Sequence, residues 1–277
     1  MKYFLDTEFL EGPQKKTLFG FKTGLTKPTI DIISIGIVSE DGRELYAISK
    51  DFNLKEAWNR YEIKHKRISD KNTIKVKEYW IRENVLKSIF NQMDFWHRKD
   101  FEWREWDDKN IDKRVKPKFT LENFTKYLNI FGKTNDRIAR EVLEFTLDPT
   151  STGYKKWLGS LDSYINGLKC NSTEKPSFYA YYADYDWVVF CWLFGRMIEL
   201  PKGFPMYCID LKQLLDDKAE EHITKIAYNT GNHTILTLKE SLKDINDSVD
   251  YPKKENEHNA LDDARWNRRL FDYLNSI

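Results

Sequence analysis

Two acidic residues near the N-terminus, Asp6 and Glu8, lie in a stretch that is otherwise typical of a buried strand, Phe4 to Leu10 (FLDTEFL). A β-strand places residues i and i+2 on the same face, so these two carboxylates are expected to share one face. Burying an unpaired carboxylate is costly, which predicts a compensating cation between them. Carboxylate oxygens are hard ligands that suit Mg²⁺ or Mn²⁺. The alternative is an edge strand that exposes both side chains to solvent.

A second acidic pair, Asp184 and Asp186, lies in Tyr181 to Gly195 (YYADYDWVVFCWLFG), where a buried strand is followed by an apolar helix. Open α/β sheets bind their ligands outside the strand ends, so this position favours a role in a site. Taken alone, Asp186 is explained as well by an N-cap of the helix that follows.

A third acidic group, Asp262 and Asp263, is preceded by His258 in Glu257 to Asn267 (EHNALDDARWN). The two aspartates fall in the first turns of the last predicted helix, where acids are ordinary partners of the helix dipole. A histidine five residues before Asp263, in a chain that also carries an Asp-x-Glu strand, is a less ordinary combination.

Hydrophobic periodicity predicts the elements that must position these residues. Strands are expected at Lys2–Glu8, Ile30–Ser39, Arg43–Ser49, Ser177–Ala183 and Pro205–Asp210. Helices are expected at Leu54–Tyr61, Val76–Phe90, Leu121–Phe131, Trp187–Met197 and Asn259–Leu274. Thr120 is expected to cap the third of these helices, and Asp210 to cap a further helix that follows it. This order predicts an α/β fold with a mixed sheet, opened by an antiparallel hairpin and flanked by helices on both faces.

Composition limits the classes of protein that the chain can belong to. Its 277 residues are 32% charged and 40% hydrophobic, with a net charge of +1, as in a globular protein that does not attract polyanions as a whole. No apolar run is long enough for a membrane span, and we see no signal-peptide pattern. Cysteines without metal-type spacing are typical of free thiols in a reducing compartment, which predicts a cytoplasmic protein without a membrane partner.

Two segments depart from the compact pattern, so we predict one domain over residues 1–277 with insertions at about 11–29 and 91–118. The first insertion is a loop in which Lys15, Lys16, Lys22 and Lys27 either hold a phosphate backbone or are simply solvated. The second contains Asp94 to Lys109 (DFWHRKDFEWREWDDK), which mixes aromatic and charged residues. We favour a subunit-contact arm, as in a homodimer, or a plain charged helix over stacking on bases.

The combination of motifs resembles the DEDDh family of 3′→5′ exonucleases, which have a ribonuclease H-like fold. Five stretches resemble one branch of it more closely, the bacterial and phage RNase AS-like exoribonucleases: FLDTEF, EDGRELYAIS, WIRENVL, CIDLKQ and EHNALDDARWNRR. The similarity covers Met1–Leu10, Ile30–Tyr61, Tyr79–Leu86, Ser177–Gln213 and Glu255–Leu270. The two insertions and Asp136–Lys175 match nothing in that pattern.

This resemblance implies a role for each matching residue. The four carboxylates of the family match Asp6, Glu8, Asp186 and Asp263, and its general base matches His258. Four carboxylates of this kind hold two Mg²⁺ or Mn²⁺ ions about 4 Å apart. One ion activates water and the other stabilises the leaving 3′-oxygen, while the histidine takes the proton of the water. Single-stranded RNA 3′ ends would then release nucleoside 5′-monophosphates.

The resemblance also decides between neighbouring acids. Asp186 is preferred to Asp184 because it follows an aromatic residue, Tyr185, before an apolar helix. Asp263 is preferred to Asp262 because its distance from the histidine along the chain is that of the family.

The resemblance implies, in addition, that the region of Thr7 and Phe9 contacts the terminal nucleotide. The residues themselves show only a packed strand there.

Two other functions remain open at this point. The same site cleaves DNA, so a proofreading-type 3′→5′ DNA exonuclease is the first alternative. The second is an inert nucleic-acid-binding module that keeps only the fold. All five catalytic positions are filled, which argues against inertness. Nothing in the spacing of these residues distinguishes RNA from DNA or one base from another.

Overall fold

The computed structural model describes residues 1–18, 21–69, 72–92, 117–146, 175–230 and 236–277. Contacts within the chain group it into two compact units. Unit one comprises Met1–Thr7, Ser34–Ala47 and Asn135–Ile277, and unit two comprises Glu8–Ile33 and Ile48–Thr134. The single domain over residues 1–277 stays a prediction.

Nine strands and seven α-helices lie in the described ranges. The strands are β1 (Lys2–Glu11), β2 (Lys15–Leu18), β3 (Phe21–Leu25), β4 (Ile30–Ser39), β5 (Glu44–Ile48), β6 (Glu62–Ser69), β7 (Asn72–Glu78), β8 (Ser177–Ala180) and β9 (Ile209–Asp210). The α-helices are α1 (Leu54–Asn59), α2 (Leu121–Phe131), α3 (Asn135–Thr146), α4 (Ala183–Trp192), α5 (Leu211–Thr230), α6 (Leu238–Asn246) and α7 (Ala260–Leu274). A π-helical segment, Ile81–Leu86, and a short 3₁₀ turn, Met197–Glu199, complete the set.

The main sheet has five strands in the order β5-β4-β1-β8-β9. Strand β1 is parallel to β8, and β8 is parallel to β9. The turn between β4 and β5 is closed by Ser39, which accepts a hydrogen bond from Gly42 N and donates one to Arg43 O, at 3.0 and 2.9 Å. Gly42 has φ +90°, a conformation that glycine adopts without strain. These features confirm the predicted mixed α/β class.

The core of unit one lies between the sheet and the helices that end the chain. Apolar side chains recur on one face of α7 and meet side chains of β1, β8, α5 and α6. The buried members are Phe4, Tyr179, Leu211, Leu215, Ala219, Ile245, Trp266, Leu270, Tyr273 and Leu274. Burial of this apolar surface fixes α7 against β1 and β8, and so fixes the residues at the start of α7.

Unit two contains two antiparallel hairpins that the sequence analysis did not anticipate. The expected loop at 11–29 forms the hairpin β2–β3, and its base is closed by Gly12 N donating to Thr29 O at 2.8 Å. The expected helix Val76–Phe90 is wrong at its start, because Val76 belongs to β7 and the helical backbone begins at residue 80. Ile74 and Val76 follow a strand period of two, not a helical period.

Other boundaries differ by a few residues. The helix expected at Trp187–Met197 is α4, which begins at Ala183 and ends at Trp192. The strand expected at Pro205–Asp210 shrinks to the two residues of β9, and the strand expected at Ser177–Ala183 ends at Ala180. Helix α5 is the helix expected after Asp210, whereas helices α3 and α6 were not predicted.

Helix α2 and its Thr120 cap are confirmed, since the Thr120 side chain accepts from Asn123 N at 3.2 Å. The segment Asp94 to Lys109 lies outside the described residues. Within the described ranges, no helix combines the length and apolarity needed to cross a membrane.

Candidate active site

Strand β1 places Asp6 and Glu8 on one face, two residues apart. Glu8 is 9% exposed, and Asp6 is half-buried. The backbone beside Asp6 is held by α7, since the Asn267 side-chain amide donates to Leu5 O at 2.9 Å. The alternative of an exposed edge strand is wrong, because β1 lies between β4 and β8 in the sheet.

The start of α7 places Asp263. The Asn259 side chain caps this helix by accepting from Leu261 N and Asp262 N at 3.1 and 3.2 Å. A Cβ added to Gly36 on β4 would lie 2.2 Å from Ala260 O, so only glycine allows the helix start to approach the strand this closely. The absence of one side chain therefore helps to set the position of Asp263, which is 5% exposed.

Three carboxylates meet at this point. Asp6, Glu8 and Asp263 each offer one oxygen, and these oxygens all lie within 4.8 Å of one another. Like charges at this separation repel, unless a proton or a cation lies among them. Their arrangement suits a hard divalent cation, because all of the donors are carboxylate oxygens.

Asp186 lies in the first turn of α4 and is 6% exposed. Its Oδ1 accepts two hydrogen bonds from Thr7, one from the backbone N at 2.8 Å and one from the hydroxyl at 2.6 Å. Burial raises the pKa of this carboxyl to about 7, the bonds from Thr7 oppose that rise, and the negative charges of Asp263 and Asp210 add to it. A carboxyl poised in this way ionises readily once a cation is bound nearby.

His258 lies directly before the cap of α7, and its backbone has φ +66°. The backbone N–H of His258 donates a hydrogen bond to Asp263 Oδ2 at 3.0 Å. A non-glycine residue in the left-handed region is uncommon and persists where the surrounding structure holds it. Here the bond from the backbone amide of His258 holds a predicted metal ligand, Asp263, beside the residue predicted to supply the base.

Lys254 is a residue of this site that the sequence analysis missed. Its Nζ lies 3.1 Å from Asp263 Oδ1 and 4.4 Å from the centre of the Trp266 ring. The Trp266 indole N–H donates to Pro252 O at 2.8 Å, which holds this segment against α7. A lysine ammonium thus contacts the acidic cluster where a divalent cation is expected to bind.

The neighbouring acids are placed differently. Asp184 is exposed on α4. Asp262 forms an ion pair with Arg265 Nη1 at 2.6 Å, and Arg265 also pairs with Glu44 at 2.6 Å. The structure therefore brings Asp263 to the cluster and ties Asp262 to a surface ion-pair network. The assignment of the metal ligands themselves stays a prediction.

Asp210 is a second residue with a role that the sequence analysis did not foresee. It was expected to cap the following helix, and its Oδ1 does accept from Lys212 N at 2.7 Å. Its carboxylate also accepts from Tyr182 N and Ala183 N, both at 3.2 Å. Tyr182 has φ +57°, so Asp210 holds the turn that carries Asp186 into position. No sequence spacing signals this long-range contact.

The two residues expected to contact a terminal nucleotide have different surroundings. The Thr7 hydroxyl donates to Asp186, so it orients a carboxylate. Phe9 lines a cavity of about 650 Å³ in unit two, together with Glu8, Tyr61 and Trp80. Tyr61 and Trp80, which line this cavity, are 41% and 40% exposed.

Comparison with known proteins identifies the family. Residues 133–275, which are 143 of the 277 residues, match the family described as "3'-5' exoribonuclease Rv2179c-like domain". The chain belongs to this family. The matched range contains Asp186, His258 and Asp263, whereas the two carboxylates of β1 precede it.

Two relatives come from Mycobacterium tuberculosis. They are named 3'-5' exoribonuclease MT2234.1, from strain CDC 1551 / Oshkosh, and 3'-5' exoribonuclease Rv2179c, from strain ATCC 25618 / H37Rv. Each is 24% identical to this chain over 221 residues, which cover 79% of this chain and 76% of the relative.

Proposed function

We propose that this protein is a metal-dependent 3′→5′ exoribonuclease of the DEDDh type, close to the RNase AS-like enzymes and with their ribonuclease H-like arrangement. The observation that carries the proposal is the meeting of Asp6, Glu8 and Asp263 within 4.8 Å, in a chain of an exoribonuclease family. Buried Asp186, attached to the same strand through Thr7, supplies the fourth carboxylate.

The residues fit two divalent cations, Mg²⁺ or Mn²⁺. All of the donors are carboxylates, burial disfavours their joint ionisation without a cation, and the ammonium of Lys254 already lies 3.1 Å from Asp263. Asp6, Glu8, Asp186 and Asp263 would hold the ions. When bound, such ions neutralise charge at the reacting phosphate and make water a better nucleophile.

The remaining steps belong to side chains of the protein. The backbone and hydroxyl of Thr7 hold Asp186 in one orientation, and His258 N holds Asp263. The His258 imidazole takes the proton of the attacking water, because a neutral imidazole is the most common general base in enzymes. The water oxygen bonds to phosphorus, the bond from phosphorus to the 3′-oxygen of the preceding nucleotide breaks, and a nucleoside 5′-monophosphate leaves.

RNA is the proposed substrate because the family and both relatives are named as exoribonucleases. A protein distinguishes RNA from DNA through the 2′-hydroxyl. One buried hydrogen bond to that group is worth about 1–3 kcal/mol, so we expect a preference for RNA of about 5–150-fold. We propose that Phe9 packs against the terminal nucleotide from the wall of the cavity.

The test uses 5′-labelled single-stranded RNA and DNA of one sequence, and an RNA that carries a 3′-phosphate. With Mg²⁺, we expect a ladder that shortens one nucleotide at a time from the 3′ end, faster on RNA, and blocked by the 3′-phosphate because its charge falls among the carboxylates. EDTA should abolish the reaction, Mg²⁺ or Mn²⁺ should restore it, and Ca²⁺ should restore it poorly.

Each arm has an outcome that contradicts the proposal. Full activity after exhaustive chelation excludes the metal mechanism. Equal or faster cleavage of DNA would show that the protein is a DNA exonuclease and not an exoribonuclease. Internal cuts exclude an exonuclease of either kind. Asp263→Asn is the matched inactive control, because it removes one charge and keeps the size of the side chain.

A further inference from the structure

The hairpin β6–β7 in unit two carries its positive charges unevenly. Its register pairs Ile63 with Lys77, His65 with Lys75, and Arg67 with Thr73. Directly paired residues of antiparallel strands point to the same side, so these six residues form one face, which we call the basic face. All six are exposed.

The opposite face of the hairpin is electrically balanced. It carries Lys64 and Lys66 together with Glu62 and Glu78, so its formal charge is zero. Lys64 pairs with Glu78 across the strands at 2.5 Å. The basic face carries the three permanent cations Arg67, Lys75 and Lys77, and no acid among the described residues of the hairpin. The net charge of +3 is therefore confined to one side of the ribbon.

The base of the same hairpin adjoins the predicted metal ligand of unit two. Glu62, Lys64 and Glu78 line the cavity of about 650 Å³ that also contains Glu8. Lys77 Nζ lies 4.3 Å from the centre of the Tyr61 ring, which lines that cavity as well. A single-stranded nucleic acid that extends from Glu8 through the cavity therefore passes an exposed aromatic ring and reaches Lys77, the first cation of the basic face.

We propose that the basic face binds the backbone of single-stranded RNA upstream of the 3′-terminal nucleotide. The proposal rests on the proposed function, which places that 3′ end at the carboxylates. Charge complementarity selects a polyanion as the occupant, because Ile63 is the single large apolar side chain on this face. The hairpin would then favour long RNA over short RNA without touching the reacting phosphate.

Three cations predict a definite dependence on salt. Each phosphate contact on a single strand contributes about −0.7 to the slope of log affinity against log salt, so three contacts contribute about −2. Between 50 and 200 mM salt this contribution alone lowers the affinity about 20-fold. Short substrates that do not reach the hairpin lack this contribution to the salt dependence.

The first experiment measures binding of a fluorescein-labelled 20-mer of uridine to the full chain in EDTA, by anisotropy at several salt concentrations. In the charge variant R67Q/K75Q/K77Q we expect the salt slope to fall in magnitude by about 2 and the affinity at 50 mM salt to fall at least 10-fold. Each single variant should lower the slope by about 0.7, which keeps the test valid if the triple variant does not fold.

The matched control is K202Q/K225Q/K239Q, which removes three exposed lysines from unit one. It should leave the slope unchanged, and an equal loss in both triple variants would overturn the proposal. So would an unchanged slope in the hairpin variant, since the basic face would then serve another partner, such as an acidic protein.

The second experiment separates this proposal from the proposed function. With Mg²⁺, the hairpin variant should raise KM for the 20-mer at least 10-fold while leaving kcat, and KM for a trinucleotide, unchanged. A wild-type chain that cleaves no RNA, but whose binding contrast persists, refutes the proposed function and keeps the hairpin as an RNA-binding face. Normal cleavage with equal KM in both triple variants refutes the hairpin proposal alone.

Discussion

The ionisation of Asp186 in the metal-free protein leads to a quantitative prediction. Its carboxyl is buried, and its pKa is about 7 against an ordinary value of 3.8. The difference, 7 − 3.8 = 3.2 units, corresponds to about 4 kcal/mol at 1.36 kcal/mol per unit. This figure is an upper value, because Asp186 lies among other acids and its ionisation depends on their charges.

The sign follows from proton binding. Between about pH 4 and 7 the folded chain keeps a proton on Asp186 that the unfolded chain has released, so the free energy of unfolding falls as pH rises. The contribution of this proton to the free energy of unfolding is complete below about pH 4 and is lost as pH rises through about 7. Above that range the folded protein carries a buried charge at its full cost.

Asp186→Asn removes this cost, because its amide oxygen still accepts from Thr7 and does not ionise. In EDTA, we expect the variant to exceed the wild type in free energy of unfolding by up to about 4 kcal/mol at pH 8, and by about 1–2 kcal/mol at pH 5. The assay is urea unfolding at pH 5, 6, 7 and 8. Asp184→Asn is the matched control, because it makes the same change at an exposed position of the same helix, and it should not show the gain in stability at pH 8.

Bound Mg²⁺ should reverse the order of stability of the wild type and Asp186→Asn. A divalent cation favours the ionised carboxyl, so saturating Mg²⁺ at pH 8 should stabilise the wild type and not Asp186→Asn. A difference in stability that is the same at pH 5 and pH 8 would falsify the reasoning, since burial would then not be what holds the proton.

Three further predictions concern neighbouring parts of the site. His258→Ala should lower kcat on the order of 10²-fold or more while keeping the thermal stabilisation by Mg²⁺, and loss of that stabilisation would assign the histidine to metal binding instead. Gly36→Ala should destabilise the fold by about 1–3 kcal/mol in urea and abolish cleavage, because its Cβ would meet Ala260 O; Ser34→Ala, which removes a buried hydroxyl from the same strand, should do neither. Lys254→Gln should lower the Kd for Mg²⁺ a few-fold in calorimetry, because an ammonium competes with the metal for Asp263; a higher Kd would show that this lysine assists metal binding.

The residues of the site were predictable where local periodicity determines the direction of a side chain. The alternation in β1 places Asp6 and Glu8 on one face whatever the rest of the chain does. The cap of α7 is local as well, because Asn259 and the first-turn acids lie within a few residues of one another. These short-range rules fix the local positions of the side chains, whereas the family resemblance brought the four carboxylates into one predicted site.

The hairpin β6–β7 was missed because its sequence carries a weak strand signal. Its isoleucines and valine alternate with lysines, and both faces are largely exposed, so no apolar face marks it as part of a core. The apolar residues Val76, Tyr79 and Trp80 also fit a helical spacing. The register between the two strands separates the charges, and one strand read alone does not reveal it.

Lys254 shows why the other residues of the site could not be predicted from sequence spacing alone. It lies nine residues before Asp263, in a segment without regular structure, and its position depends on the bond from Trp266 to Pro252. That bond exists only because the core holds α7 against the sheet.

The contact of Lys254 with Asp263 also explains how a group of acids coexists in the folded chain before metal binds. One ammonium offsets part of the repulsion at Asp263, and a proton on Asp186 removes another part. Metal binding must therefore displace a lysine and release a proton, so the affinity of the site for Mg²⁺ should rise with pH over the range in which Asp186 ionises.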